Sequence, residues 1–151
     1  MKIPYTSSDM WLLLAVAYST ANRPAQLPDI IGTGDAINKA IFTVQELRRG
    51  MARLTTGGLV TGLEGRFDLT EGGRRLIEAA RAEGATNWMD EWTKLDELLD
   101  ADKGPRNHPQ FEDPAWSYQS LTESLIESAY AAYQVTSRKV LKELRLPGDD
   151  D

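Results

Sequence analysis

The stretch Thr43–Arg75, TVQELRRGMARLTTGGLVTGLEGRFDLTEGGRR, decides the fold. Its opening Thr43-Val44-Gln45-Glu46 fits a capping box, in which threonine and glutamate each satisfy a backbone N–H at a helix start. Val44, Leu47, Met51 and Leu54 then recur at helical spacing. Gly57-Gly58 suit the left-handed conformation that ends helices. Two short β-prone runs follow, Leu59-Val60-Thr61 and Arg66-Phe67-Asp68-Leu69, with Gly62-Leu63-Glu64-Gly65 as the turn between them. Thr70 is placed to cap another helix. The stretch therefore predicts helix, hairpin, helix.

Upstream, Ser7-Ser8-Asp9 is an N-cap cluster for a first helix of roughly Ser8 to Asn22, ended by Arg23-Pro24. A second helix is expected from Leu27-Pro28-Asp29 to about Ala40, with Gly32 and Gly34 weakening its middle. Downstream, the helix after Thr70 runs to about Ala82. The next covers about Asn87 to Ala101, with Trp88, Trp92, Leu95 and Leu99 on one stripe. Residues 102–112 read as a linker. Asp113-Pro114 then opens a long last helix, carrying Tyr118, Leu121, Leu125, Ala129 and Ala132 on one face and Val140, Leu141 and Leu144 near its end. Val135-Thr136 is a candidate interruption. The expected fold is mainly α with a small two-stranded β-wing. Residues 1–83 form its first unit, 84–145 a C-terminal helical extension, and 146–151 a disordered acidic tail.

A chain of 151 residues can bury one sizeable core. It has no cysteine, hence no disulfide, thiolate metal site or cysteine nucleophile, and its single His108 argues against histidine-rich metal sites. The apolar run Met10–Tyr18 abuts Asp9 and is too short to span a bilayer, which takes roughly 20 residues. A cytoplasmic protein without membrane contact is expected. The net charge of −6 is unevenly divided, +2 over residues 1–82 and −8 over 83–151. That balance argues against a non-specific nucleic-acid coat but leaves room for a local basic face. Arg48, Arg49, Arg53, Arg66, Arg74, Arg75 and Arg81 all fall in the region from 48 to 81.

The runs Leu54–Val60 (LTTGGLV) and Phe67–Arg74 (FDLTEGGR) resemble the end of the recognition helix and the wing strand of winged helix-turn-helix regulators of the MarR and PadR kind. The resemblance covers about residues 8–82. It implies a winged helix-turn-helix domain and, with it, duplex DNA as a partner.

Read on its own, the third helix turns Gln45, Arg49, Ala52, Arg53 and Thr56 away from its apolar line, with Arg48 on a flank. Glutamine and arginine pair bidentately with adenine and guanine edges, and a small Ala52 lets a groove wall approach. Arg66 on the wing is placed to reach a phosphate or a minor groove. Gln45, Arg48, Arg49, Ala52, Arg53 and Arg66 are therefore the expected DNA-binding residues of a transcriptional regulator. A solvated face with an Arg49–Glu46 pair is the plainer reading of the same residues. Arg74 and Arg75 at the start of a helix oppose its dipole, which invites an outside anion or a nearby carboxylate. The alternative function is a non-enzymatic protein-interaction adaptor on the same scaffold. It gains if the chain's own groups occupy these arginines or cover the third helix.

No catalytic residue, metal site or cofactor is expected. Gly32-Thr33-Gly34 lacks a third glycine at Ile37 for a dinucleotide loop, and a calcium loop counted from Asp100 fails at Pro105 and Phe111. Asp90, Glu91, Asp96, Glu97 and Asp100 read as the solvated face of their helix. Of Trp11, Trp88, Trp92 and Trp116, three lie in the C-terminal part. Docking or dimerisation of the C-terminal helices accounts for them best; an aromatic ligand pocket between the two parts is the sharper reading. The aromatic surface of Trp88, Trp92, Trp116, Tyr118, Tyr130 and Tyr133 motivates a homodimer through the residues after 86.

Overall fold

The computed structural model describes residues 2–104 and 115–143, with side chains as far as Thr136. The expectations placed on most of the linker, His108, Asp113-Pro114, the side chains of Val140 and Leu141, Leu144 and the acidic tail lie outside the described residues. Helix α1 spans Ser7–Ser19, strand β1 Ala25–Gln26, and helices α2 and α3 Leu27–Asn38 and Val44–Thr56. Strands β2 and β3 span Val60–Leu63 and Arg66–Leu69, and helices α4, α5 and α6 Glu71–Ala82, Trp88–Leu98 and Glu123–Glu143. The architecture is mainly helical with one small antiparallel sheet in the order β1-β3-β2.

Four helices start at a threonine and one at an asparagine, while α2 starts at Gln26, whose N–H donates to Asp29. Thr6, one residue before the expected cluster, caps α1 in a reciprocal box with Asp9. Thr43 does the same for α3 with Glu46, whose backbone N–H donates to Thr43 Oγ1 at 3.1 Å while Glu46 Oε1 accepts from Thr43 N at 2.9 Å. Thr70 caps α4 and Asn87 caps α5. Helix α2 is unbroken by its glycines, because tertiary packing uses them. A Cβ on Gly34 would collide with the Phe42 ring, which stacks on Trp11 at 3.8 Å.

The sheet differs from expectation in two ways. The third strand, β1, pairs Ala25 with Phe67 and Gln26 with Arg66. The hairpin is tighter, because Gly62 and Leu63 belong to β2 and the turn is Glu64-Gly65, with φ of 54° and 78°. Two consecutive positive φ values are what a two-residue turn needs to match strand twist.

Helix α1 is the centre of the core: every residue from Met10 to Val16 is buried. A helix apolar on all sides must be covered on all sides. Helices α2, α3 and α5 do so, and α6 packs on α2. Residues after 84 thus enter the same core as those before it, through Leu95, Ala101, Leu121, Ile126 and Ala129. Trp92 stacks towards Trp11 at 6.2 Å and donates Nε1–H to the Ser7 carbonyl at 2.9 Å. Tyr130 donates to the Phe42 carbonyl at 2.5 Å, and Tyr133 to Asp35 at 2.6 Å. The aromatic surface that motivated a dimer is largely spent on the chain itself. Among the described residues no helix is long and apolar enough to cross a membrane.

The last helix begins later than expected. Residues 115–122 are irregular, so Tyr118 and Leu121 precede α6, and Thr122 Oγ1 accepts from Leu125 N at 3.2 Å as its cap. Val135-Thr136 does not interrupt it.

Candidate functional site

The polar face of α3 is closed. No residue from Val44 to Leu54 is exposed. Arg53, expected to face outward, is 1% exposed and lies in the core. Its Nε donates to Asp9 Oδ2 at 2.6 Å and a terminal nitrogen donates to Oδ1 at 3.1 Å. This fork is the bidentate geometry that suits a guanidinium to a carboxylate. Asp9 Oδ2 also accepts from Thr6 N at 2.8 Å, so one carboxylate caps α1 and neutralises α3. Burial pushes the Asp9 carboxyl above the usual range, and the bonds from Arg53 and Thr6 pull partly against it.

A second chain segment covers the rest of the face. Residues 115–121 run across α3, with Tyr118 N donating to the Arg48 carbonyl at 3.1 Å and Arg49 donating to the Trp116 carbonyl at 3.4 Å. The Tyr118 ring sits edge-on to Phe67 at 5.8 Å, with its hydroxyl over Gly62. Arg49 and Ala52 are consequently buried, at 7% and 8% exposure. Gln45 and Arg48 are half-buried, and Gln45 Oε1 and Arg48 Nε are without a hydrogen-bond partner among the described residues. Glu46 is also buried and accepts from the Ser8 hydroxyl at 2.8 Å. The six expected DNA-binding residues are thus divided: Arg66 alone is exposed, at the wing.

The other arginines meet the chain's own acids. Arg74 lies 3.6 Å from Asp68, and Arg75 2.6 Å from Glu71. Arg81 lies 2.5 Å from Glu91. The carboxylates of α5 are not one solvated face, since Glu91 and Asp96 are buried. Glu91 accepts from Arg81 and from the Tyr18 hydroxyl. Asp96 accepts from the Ser7 hydroxyl at 2.8 Å, and burial raises its carboxyl above the usual range. Helical periodicity had put them outside because α5 is flanked by both α1 and α4.

Two of the concave surfaces among the described residues have mainly apolar walls. One is a groove of about 280 Å³ between the wing turn and α6, lined by Leu27, Pro28, Gly65, Leu125 and Ala129. Beside that turn Leu63 is 76% exposed, and Leu125 is 54% exposed. The other is an open cleft of about 850 Å³ between α2, the start of α5 and α6, where Tyr18, Trp88 and Tyr133 meet. Of the four tryptophans only Trp88 lines it.

Asp9 and the Trp116–Tyr118 segment are decisive through contacts with α3 that the sequence reading did not foresee. Asp9 carried a usable signal, a carboxylate abutting an otherwise apolar helix. No known family model, curated protein or solved structure matches the chain.

Proposed function

We propose that the chain is a winged-helix module that engages a protein partner, a non-enzymatic adaptor. The element order α1-β1-α2-α3-β2-β3 with sheet order β1-β3-β2 supports the winged-helix reading. The closure of α3 carries the functional one. A groove-reading helix must offer side chains to base edges, whereas here Arg53 neutralises Asp9 and the 115–121 segment lies across Arg48 and Arg49. The surface offered instead is the wing tip and the neighbouring α6 groove, where Leu63 and Leu125 are exposed apolar groups. Exposed apolar groups beside an apolar groove are typical of interaction sites. The experiment is site-specific photo-crosslinking in the native host, with the crosslinker at Leu63. One discrete heteromeric adduct, lost when Leu125→Asp is added, is expected. An adduct pattern identical to that of a crosslinker at exposed Glu78 would refute the reading.

Duplex DNA reading is the second function, favoured by one observation. Arg66 is exposed at the wing, a position from which it could reach a phosphate or minor groove. In that reading the 115–121 segment must leave α3 before the helix can enter a groove.

A further inference from the structure

We propose that the cleft between α2, the start of α5 and α6 binds a neutral, flat aromatic molecule. The inference is independent of the adaptor reading, whose groove meets the cleft at Pro28 alone. Three aromatic rings reach one cavity from three different helices: Tyr18 from α1, Trp88 from α5 and Tyr133 from α6. Two of the rings are pinned. Tyr18 donates its hydroxyl to buried Glu91, and Tyr133 donates to Asp35 at 2.6 Å. Their phenol hydrogens are thereby spent inside the protein, and the ring faces are what the cleft has left to offer. Pinned aromatic walls are preformed and lose little rotamer freedom when a ligand arrives.

Helix α2 supplies the floor of the cleft. Gly32 lies directly beneath the Tyr133 ring, where a Cβ would come within 2.9 Å of Cε1. Ala36 and Ile37 extend this floor along the same face of α2. Offset or edge-on stacking against rings of this kind contributes about 0.5–1.5 kcal/mol beyond the area buried. The volume, about 850 Å³, lies within the range of small-molecule sites.

Charge sets the ligand class. Arg23 and Asp29, of opposite sign, are the ionic residues of the lining, and both are exposed. Asp29 Oδ2 is engaged by the Gln26 N–H at the start of α2. No ionic side chain of the lining is buried, so a charged guest would lose its water without gaining a desolvated partner. A neutral guest incurs no such penalty and can donate to the rim hydroxyl oxygens of Ser19 and Thr136, whose hydrogens go to the Val16 and Ala132 carbonyls.

The test uses the full chain and the neutral, flat naphthalene dye prodan. Titration should show a blue-shifted, saturable emission at one dye per chain, with energy transfer from tryptophan. Ala36→Trp fills the cleft from an exposed position on α2, and Thr136→Trp does so from α6. Each should weaken prodan at least tenfold while far-UV circular dichroism and Tm stay unchanged. Leu125→Asp, outside the cleft, should leave affinity within twofold. Lack of saturation would overturn the proposal, as would binding indifferent to whichever filling variant folds. Tighter binding of an anionic naphthalene sulfonate, abolished by Arg23→Ala, would overturn the neutral class and make the cleft an anion site.

Discussion

Breaking the Asp9–Arg53 pair from either end should have two different pH signatures. Both side chains are 1% exposed, and their fork is bidentate. Removing one partner of such a pair typically costs about 3–5 kcal/mol, because the survivor is left charged and dry. Asp9→Asn keeps an acceptor for Thr6 N but strands the guanidinium, which cannot release its proton. Its cost should stand near the top of that range and should not grow as pH rises from 5 to 8, because the wild type alone carries the raised Asp9 carboxyl. Arg53→Met strands a carboxylate instead, one that burial already pushes above its usual range. A raised folded pKa adds stability below the unfolded value, and that stability is lost as pH rises through the folded value. Arg53→Met should therefore be mild near pH 5 and grow worse towards pH 8. The double variant, with no buried charge, should cost clearly less than the two singles together, a coupling of about 2 kcal/mol or more. Urea unfolding followed by tryptophan fluorescence at pH 5, 6.5 and 8 reads all three. Additive single costs under about 1 kcal/mol, without pH dependence, would refute the claim that the pair is desolvated.

The α5 carboxylate and the wing turn give two further tests. Asp96→Asn keeps an acceptor for Ser7 and removes a buried negative charge near the C-terminal end of α5, where the helix dipole disfavours it. Because burial raises the Asp96 carboxyl, the variant should raise Tm at pH 7, and the gain should fade as pH falls through the folded pKa. A Tm gain at pH 7 that persisted undiminished near pH 3.5 would contradict this. Glu64 sits at φ 54° in the first turn position, which asparagine adopts more easily. Glu64→Asn should add about 0.5–1 kcal/mol of stability, and an unchanged or lowered urea midpoint would count against the two-residue turn.

Local chemistry was legible where the signal was local. The Thr43–Glu46 box, the Gly57-Gly58 stop, the β3 run Arg66–Leu69 and the Thr70 cap each involve groups a few residues apart, and all appear. Strand β1 was missed because two residues have no period, and only pairing with Phe67 and Arg66 makes them a strand. The turn was misplaced because Glu64 is a poor marker for positive φ. The burial of the candidate site was illegible for a different reason. Amphipathic spacing shows which side of α3 is polar but not whether another part of the chain lies on it. Arg53 meets a carboxylate 44 positions earlier, and Arg49 a carbonyl 67 positions later. Pairings at such separation leave no trace in the periodicity of one helix. Of the aromatic groups after residue 86, Trp92 meets α1, Tyr130 the loop after α2 and Tyr133 α2, pairings that the spacing of one helix does not show.

The proposed adaptor role rests on the polar face of α3 being occupied by the chain itself. The most direct measurement is selection of duplex DNA from a random-sequence pool by the full chain at about 50 mM salt, where phosphate contacts are at their strongest. The account predicts no enriched motif and only weak, salt-sensitive retention through exposed residues such as Arg66. An enriched motif whose binding is lost on Arg48→Ala plus Arg49→Ala, in protein that remains folded, would contradict it.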